Sequence, residues 1–172
     1  MEFFEVLKAR HSIRAFAARP VEPGKLQAIL EAANRAPSAG NLQGYEIYAV
    51  TRRAVLTALA DAAFGQEFVA QVSMALVFCA NPKRSARRYA QRGTSLYCIQ
   101  DATIACAYAQ LAAEALGLAS VWVGAFNDDA VRQAIGVSQD LLPVAILPIG
   151  YASKEPEESS RRPLSSLVHH VS

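Results

Sequence analysis

The sequence predicts an α+β fold, with helices packed on a central sheet that is mainly antiparallel or mixed. Three observations predict it. Leu26, Ile29, Leu30 and Ala33 recur at helical spacing. Residues 74–80, Met-Ala-Leu-Val-Phe-Cys-Ala, form a continuous apolar run of strand length, the pattern of a strand covered on both faces. Residues 94–117 carry alanine at 102, 105, 107, 109, 112, 113 and 115, which gives high helix propensity. No linker or internal repeat interrupts the chain, so residues 1–172 read as one domain with a sizeable core.

Each element follows in order. Residues 3–10 make a short opening helix with Phe3, Phe4 and Leu7 on one side. Residues 10–16, Arg-His-Ser-Ile-Arg-Ala-Phe, read as extended. Side chains then alternate, so Arg10, Ser12 and Arg14 share one face, and His11 and Ile13 take the other. Pro23 suits the first turn of the next helix, which ends before Pro37. Residues 37–44, Pro-Ser-Ala-Gly-Asn-Leu-Gln-Gly, form a turn-rich loop. Residues 45–50 alternate as a strand, 53–63 read as a helix, and 81–93 are polar and basic. Helix 94–117 ends at Gly117, a suitable C-cap. Residues 118–124 return as a strand, 128–136 form a helix with Asp128 as N-cap, and 144–151 form the last strand. This gives four or five strands. The polar, proline-interrupted tail ends on Leu164, Leu167 and Val168, and that apolar end predicts docking. The thin, alanine-rich helix predicts close packing, either in the core of one chain or across a two-fold axis.

Composition narrows the function. Hydrophobic residues are 52%, charged residues 19%, and formal net charge is +2. That excludes a disordered chain and gives no bulk basic charge for nucleic acid. The basic stretch 83–92 lacks the aromatic interleaving of a single-strand binder. No apolar run spans a bilayer, and residues 1–10, with Glu2 and Glu5, lack a signal-peptide pattern. Cys79, Cys98 and Cys106 have no Cys-x-x-Cys spacing and read as reduced thiols. The expected location is therefore cytoplasmic. No metal motif is present, because the neighbouring His169 and His170 point opposite ways on an extended chain.

The common catalytic patterns are missing. There is no G-x-S-x-G elbow, phosphate loop or G-x-G-x-x-G. The middle of the chain has no histidine, which disfavours a Ser-His-Asp constellation. An enzyme of this sequence would take its hard chemistry from a cofactor. The polar groups suit a flat, phosphorylated one. Arg10, Ser12, Arg14, Arg161 and Arg162 suit a dianion. Ser38, Asn41 and Gln43 suit a heterocycle edge, and Gly124 permits backbone to approach a ring.

In this order and spacing the motifs resemble the nitroreductase family of flavoproteins, over nearly the whole chain. They are RHSIRAF, APSAGNLQ, the stretch from Arg88 to Phe126, LLPVAILPIGY and SSRRPLSSLVHH. The resemblance implies a nitroreductase-like fold and an intertwined homodimer that binds FMN at the interface. It implies that Arg10, His11, Ser12, Arg14 and Arg161 hold the phosphate and ribityl side from one chain. Pro37, Ser38, Ala39, Asn41 and Gln43 would come from the other chain. Gly124, Ala125 and Phe126 would lie by the ring, with Gln100 and Gly150 as further contacts. It also implies NADH or NADPH as donor, and ping-pong hydride transfer through flavin N5 to a nitroaromatic, quinone or activated alkene. No side chain is assigned the chemistry, although Arg14 could act electrostatically.

Two departures stand out. Many larger members carry Lys where this chain has Ser159, and Arg162 could compensate. The chain is also shorter than many members. The run Lys83, Arg84, Arg87, Arg88 and Arg92 reads either as a lid that attracts the 2′-phosphate of NADPH or as a solvated helix face. Tyr89 either lines the acceptor pocket or packs its helix down. Other flavin chemistry, such as dehalogenation or a flavin-related reaction, and non-catalytic flavin binding remain alternatives.

Overall fold

The structure, a computed structural model, describes residues 2–156 and 159–171. Four strands form one sheet in the order β1 (Tyr45–Val50), β2 (Met74–Ala80), β4 (Leu142–Gly150), β3 (Ala119–Ser120). All three strand pairings are antiparallel. The extended segment after the first helix adds a parallel bridge, Ser12 to Ser120, and an antiparallel one, Phe16 to Ala152.

β2 is buried along its whole length because both faces are covered. Met74, Leu76, Phe78 and Ala80 face a core built with α2 (Pro23–Asn34) and α6 (Cys98–Ala115). Ala75, Val77 and Cys79 face a second core built with α3 (Arg53–Ala62), α4 (Phe68–Gln71) and α7 (Asp128–Ile135). Alternation along a strand thus divides one apolar run between two layers.

α6 is the central helix of the first core. Ala102, Ala105, Ala109 and Ala113 are fully buried, and their small size lets the backbone lie close to β2, β4 and α2. The alanine face therefore packs inside one chain. Thr103 and Tyr108 are on the exposed side of the same helix.

Several elements differ from the sequence expectation. α6 starts at Cys98, after a π-turn over Gly93–Tyr97. Gly93 permits that turn, because a Cβ there would lie 2.5 Å from the Ser85 carbonyl oxygen. Gly117 sits one residue past the Leu116 cap with φ +72°. The expected strand 118–124 shrinks to Ala119–Ser120, with a separate bridge from Val123 to Ile146. The N-cap of α7 is Asn127, whose Oδ1 accepts from the Ala130 N–H at 2.9 Å, and Asp128 is the first helical residue. In α1 (Phe3–Ala9) only Val6 is buried, and Phe3, Phe4 and Leu7 face outward. The tail does not bury its apolar end on this chain: Leu164 is 74% exposed, and Leu167 and Val168 are about half exposed. No helix among the described residues is long and apolar enough to cross a membrane.

Candidate functional site

The site residues fall at three places on one chain. The first is a cleft of about 560 Å³ lined by Arg10, His11, Ser12, Arg14, Lys154 and Arg161, among others. Its floor is the extended segment 10–16, held by the Ile13 N–H donating to the Ser120 carbonyl at 3.1 Å. Arg10 caps α1, and Ser12 and Arg14 are exposed. The His11 ring is oriented by a 2.7 Å contact between Nδ1 and the Ala9 carbonyl. Arg161 donates to Ser159 Oγ at 2.9 Å, so the serine that stands in place of a lysine orients the arginine. Arg162 instead donates to the Ser166 carbonyl at 2.8 Å and holds the tail turn. Among the described residues, Arg10, Arg14 and Arg161 form no salt bridge.

The second place is a cavity of about 470 Å³ lined by Pro37, Ser38, Ala39, Tyr97, Gln100 and Asp101, with Ile99, Thr103 and Ile104. The 38–44 loop that forms its edge is strained. Gly40, Asn41 and Gln43 all have φ between +50° and +57°, a region costly for residues with a side chain. Ser38 Oγ accepts from the Gln43 N–H at 3.0 Å, and the Asn41 N–H donates to the Ser38 carbonyl at 3.0 Å. The Gln43 amide reaches back to Asn34 Oδ1 at 3.4 Å.

Asp101 holds this loop, and sequence reasoning passed over it. It is 2% exposed. Oδ1 accepts from the Ala39 N–H at 2.9 Å, and Oδ2 from the Gly44 N–H at 3.1 Å. A buried carboxylate needs such donors. The available signal was an acidic residue in the first turn of an alanine-rich helix. Glu114, a half-buried carboxyl, lies near the first cleft. Burial raises its pKa, and the charges of His11 and Arg10 pull it back.

The third place is the turn Gly124–Ala125–Phe126 after β3. Gly124 and Ala125 are exposed, and the Gln66 amide donates to the Ala125 carbonyl at 3.3 Å. Gly150 lies inside β4, where a Cβ would sit 3.1 Å from the Phe16 ring. Its small size serves that packing.

The three cysteines are free and buried. Burial pushes Cys79 up to about 12, and it raises Cys98 and Cys106 as well. Their thiols stay protonated and inert at neutral pH.

A cationic cleft, a strained loop and an exposed glycine turn suit a phosphorylated planar ligand. Comparisons with known proteins agree on the group of proteins that share this layout. An NADH dehydrogenase of Thermus thermophilus is 33% identical over 92% of this chain and 91% of its own length. An oxygen-insensitive NADPH nitroreductase of Salmonella typhimurium is 33% identical over 96% of this chain and 72% of its own. The solved NADPH:FMN oxidoreductase of Vibrio harveyi, complexed with NAD+, superposes with a TM-score of 0.89 at 28% identity, over 98% of this chain and 76% of its own. The sequence pattern of the nitroreductase family matches residues 7–87 and 64–151. Fold and sequence pattern thus agree: this chain belongs to the nitroreductase family.

Proposed function

We propose that the protein is an FMN-dependent NAD(P)H oxidoreductase that reduces nitroaromatics, quinones or activated alkenes, working as a homodimer. The observation that carries this reading is the group of three arginines, Arg10, Arg14 and Arg161, that line one cleft without a carboxylate partner among the described residues. Like charges gathered without counter-ions are costly, and a phosphate dianion relieves that cost. The donor set fits FMN: guanidiniums and the Ser12 hydroxyl for the phosphate, and the 38–44 loop and the Gly124 turn for the ring. The names of the Salmonella and Vibrio relatives support the flavin and the nicotinamide nucleotide.

Geometry supports the homodimer in this reading. The arginine cleft and the loop cavity are separate places on one chain, so a second copy would bring the loop of one chain to the cleft of the other. Phe3, Phe4, Leu7, Tyr108, Leu164 and Leu167 are exposed, and large apolar groups left on a surface suit an interface between subunits.

When bound, FMN supplies the redox chemistry, taking a hydride from the nicotinamide and passing electrons to the acceptor. The chain's residues bind and orient. Arg10, Arg14 and Arg161 would fix the phosphate end. Asp101 keeps the Ala39 and Gly44 amides in place, and so sets the shape of the loop against the ring. Gly124 leaves room beside the exposed turn for the ring edge. Positioning is the protein's share of catalysis.

The test is spectroscopic. Protein purified with FMN should be yellow, lose its flavin absorbance anaerobically with NADH or NADPH, and regain it on adding a nitroaromatic or quinone. Colourless protein after FMN incubation would overturn the reading. Bleaching without recovery would favour a flavin store.

A further inference from the structure

We propose that the corner formed by Arg88 and Tyr89 is an anion subsite at the rim of the loop cavity, selective for a phosphate monoester. The 2′-phosphate of NADPH is the source it best fits. This inference rests on the oxidoreductase reading and names the electron donor for it.

The corner belongs to α5 (Pro82–Arg92), which carries no acidic residue. Its other cations are engaged. Lys83 pairs with Asp140 at 2.6 Å, Arg84 Nε donates to the Leu42 carbonyl, and Arg92 Nε donates to the Tyr97 hydroxyl at 2.9 Å. Among the described residues, Arg88 forms no salt bridge and is exposed, whereas Arg87 lines a separate cleft with Glu46 and Asp140.

Position separates Arg88 from an ordinary solvated helix face. Arg88 and Tyr89 lie against Gly40 in the strained loop. A Cβ on Gly40 would meet the Tyr89 hydroxyl at 2.6 Å and Arg88 Nη1 at 2.9 Å. That loop continues from Pro37, Ser38 and Ala39, which line the cavity.

The corner is also rigidly built. Ala90 has φ 45° and ψ −128°, a conformation that a residue with a Cβ adopts at a cost. It ends the regular helix and turns Tyr89 edge-on to Tyr97, with ring centroids 5.0 Å apart. Tyr97 itself lines the cavity. A guanidinium and a phenol on one corner suit a dianion with several acceptor oxygens. A nicotinamide nucleotide that places its reactive ring in the cavity has its 2′-phosphate some distance away, which suits a rim position better than a deep one.

Binding is read first, without turnover. The FMN-loaded protein is titrated calorimetrically with 2′,5′-ADP and with 5′-AMP, which differ by the 2′-phosphate. The wild type should bind 2′,5′-ADP about tenfold tighter or more, the scale of one charge-assisted contact. Arg88→Ala should remove most of that difference, Arg88→Glu should reverse it, and Arg88→Lys should retain part. In turnover, the ratio of kcat/KM for NADPH to that for NADH should fall about tenfold in Arg88→Ala. A parallel arm compares 4-nitrophenyl phosphate with neutral 4-nitrobenzyl alcohol as acceptors. Should the acceptor ratio change in Arg88→Ala and the donor ratio hold, the donor assignment is overturned and the anion belongs to the acceptor. Equal binding of the two nucleotides, with both ratios unchanged, overturns the subsite. Because the calorimetric arm needs no reaction, a protein that binds 2′,5′-ADP at Arg88 yet reduces nothing counts against the oxidoreductase reading and not against the subsite.

Discussion

Two clusters of cations, built from the same residue types, are finished differently. In the first, the Glu22 carboxylate accepts from the Tyr151 hydroxyl at 2.6 and 2.8 Å and from Arg19 at 3.0 Å. Lys25 donates to the Leu116 carbonyl at 2.9 Å and to the Tyr151 hydroxyl at 3.0 Å, while Arg19 lies 3.7 Å over the Tyr151 ring. The cluster ties the start of α2 to the end of β4, and folding completes it. In the second, Arg10, Arg14 and Arg161 surround an open cleft, joined by Lys154. Glu155 is the one carboxylate among the described lining residues, and it pairs with none of them. Among the described residues one cation cluster is closed by a carboxylate and the other is open, the arrangement expected where an anionic ligand completes the second.

Four variants sharpen this contrast, in descending order of effect. Arg10→Ala with Arg14→Ala should weaken FMN binding about 100-fold or more, since each charged hydrogen bond contributes about 1.5–3 kcal/mol. The flavin-free double variant should unfold at a temperature no lower than wild type, because it loses repulsion and, among the described residues, no ion pair. Flavin titration and thermal unfolding of the flavin-free form check both halves.

Asp101→Ala should cost about 2–4 kcal/mol of stability, because two buried N–H donors lose their acceptor. It should also weaken FMN. Asp101→Asn should fall between, keeping one acceptor oxygen and turning an amide N–H toward the second donor. Urea unfolding measures the first effect and flavin titration the second.

Asn127→Ala removes the cap of α7 and should cost about 1 kcal/mol. It should leave flavin affinity unchanged, which urea unfolding and flavin titration on the same samples would check.

Glu22→Gln tests the closed cluster through pH. Its carboxyl is held near 2, against an ordinary 4.5, chiefly by the Tyr151 hydroxyl, with help from Arg19 and Lys25. A lowered carboxyl stabilises the fold above the unfolded value and loses that contribution as pH falls through the folded one. Wild type should therefore lose stability between about pH 4.5 and 2, and the variant should show a flatter acid limb. The effect is small because the group is exposed. Thermal midpoints across that range would reveal it, and parallel acid limbs would count against it.

How much of this was legible in the sequence depended on whether a feature is local. β2 was legible because an apolar run has few alternatives, whereas the alternation at 10–14 did not sort its residues, since His11 and Ile13 line the same cleft as Arg10, Ser12 and Arg14. Pro23 marked its helix because its ring presets φ. The cap of α7 was misplaced by one residue, since Asn127 and Asp128 both suit the role and only backbone geometry chooses. The strand after Gly117 was over-read because Leu118, Val121 and Val123 are buried without forming a full ladder. Asp101 was illegible because its partners, the amides of Ala39 and Gly44, are about 60 residues away in the chain. The apolar ends of α1 and of the tail were legible as groups needing cover, but nothing local could tell that one chain leaves them exposed.

The central claim is that one FMN site takes its arginines from one chain and its loop from the other. The most direct measurement is flavin stoichiometry in a mixed dimer, with Arg10→Ala and Arg14→Ala in one subunit and Ser38→Ala and Asn41→Ala in its mate. A shared site concentrates all four changes in one site and leaves the other intact, so the mixed dimer should bind one FMN with wild-type affinity. Two equally weakened sites, with none at wild-type affinity, would contradict the account.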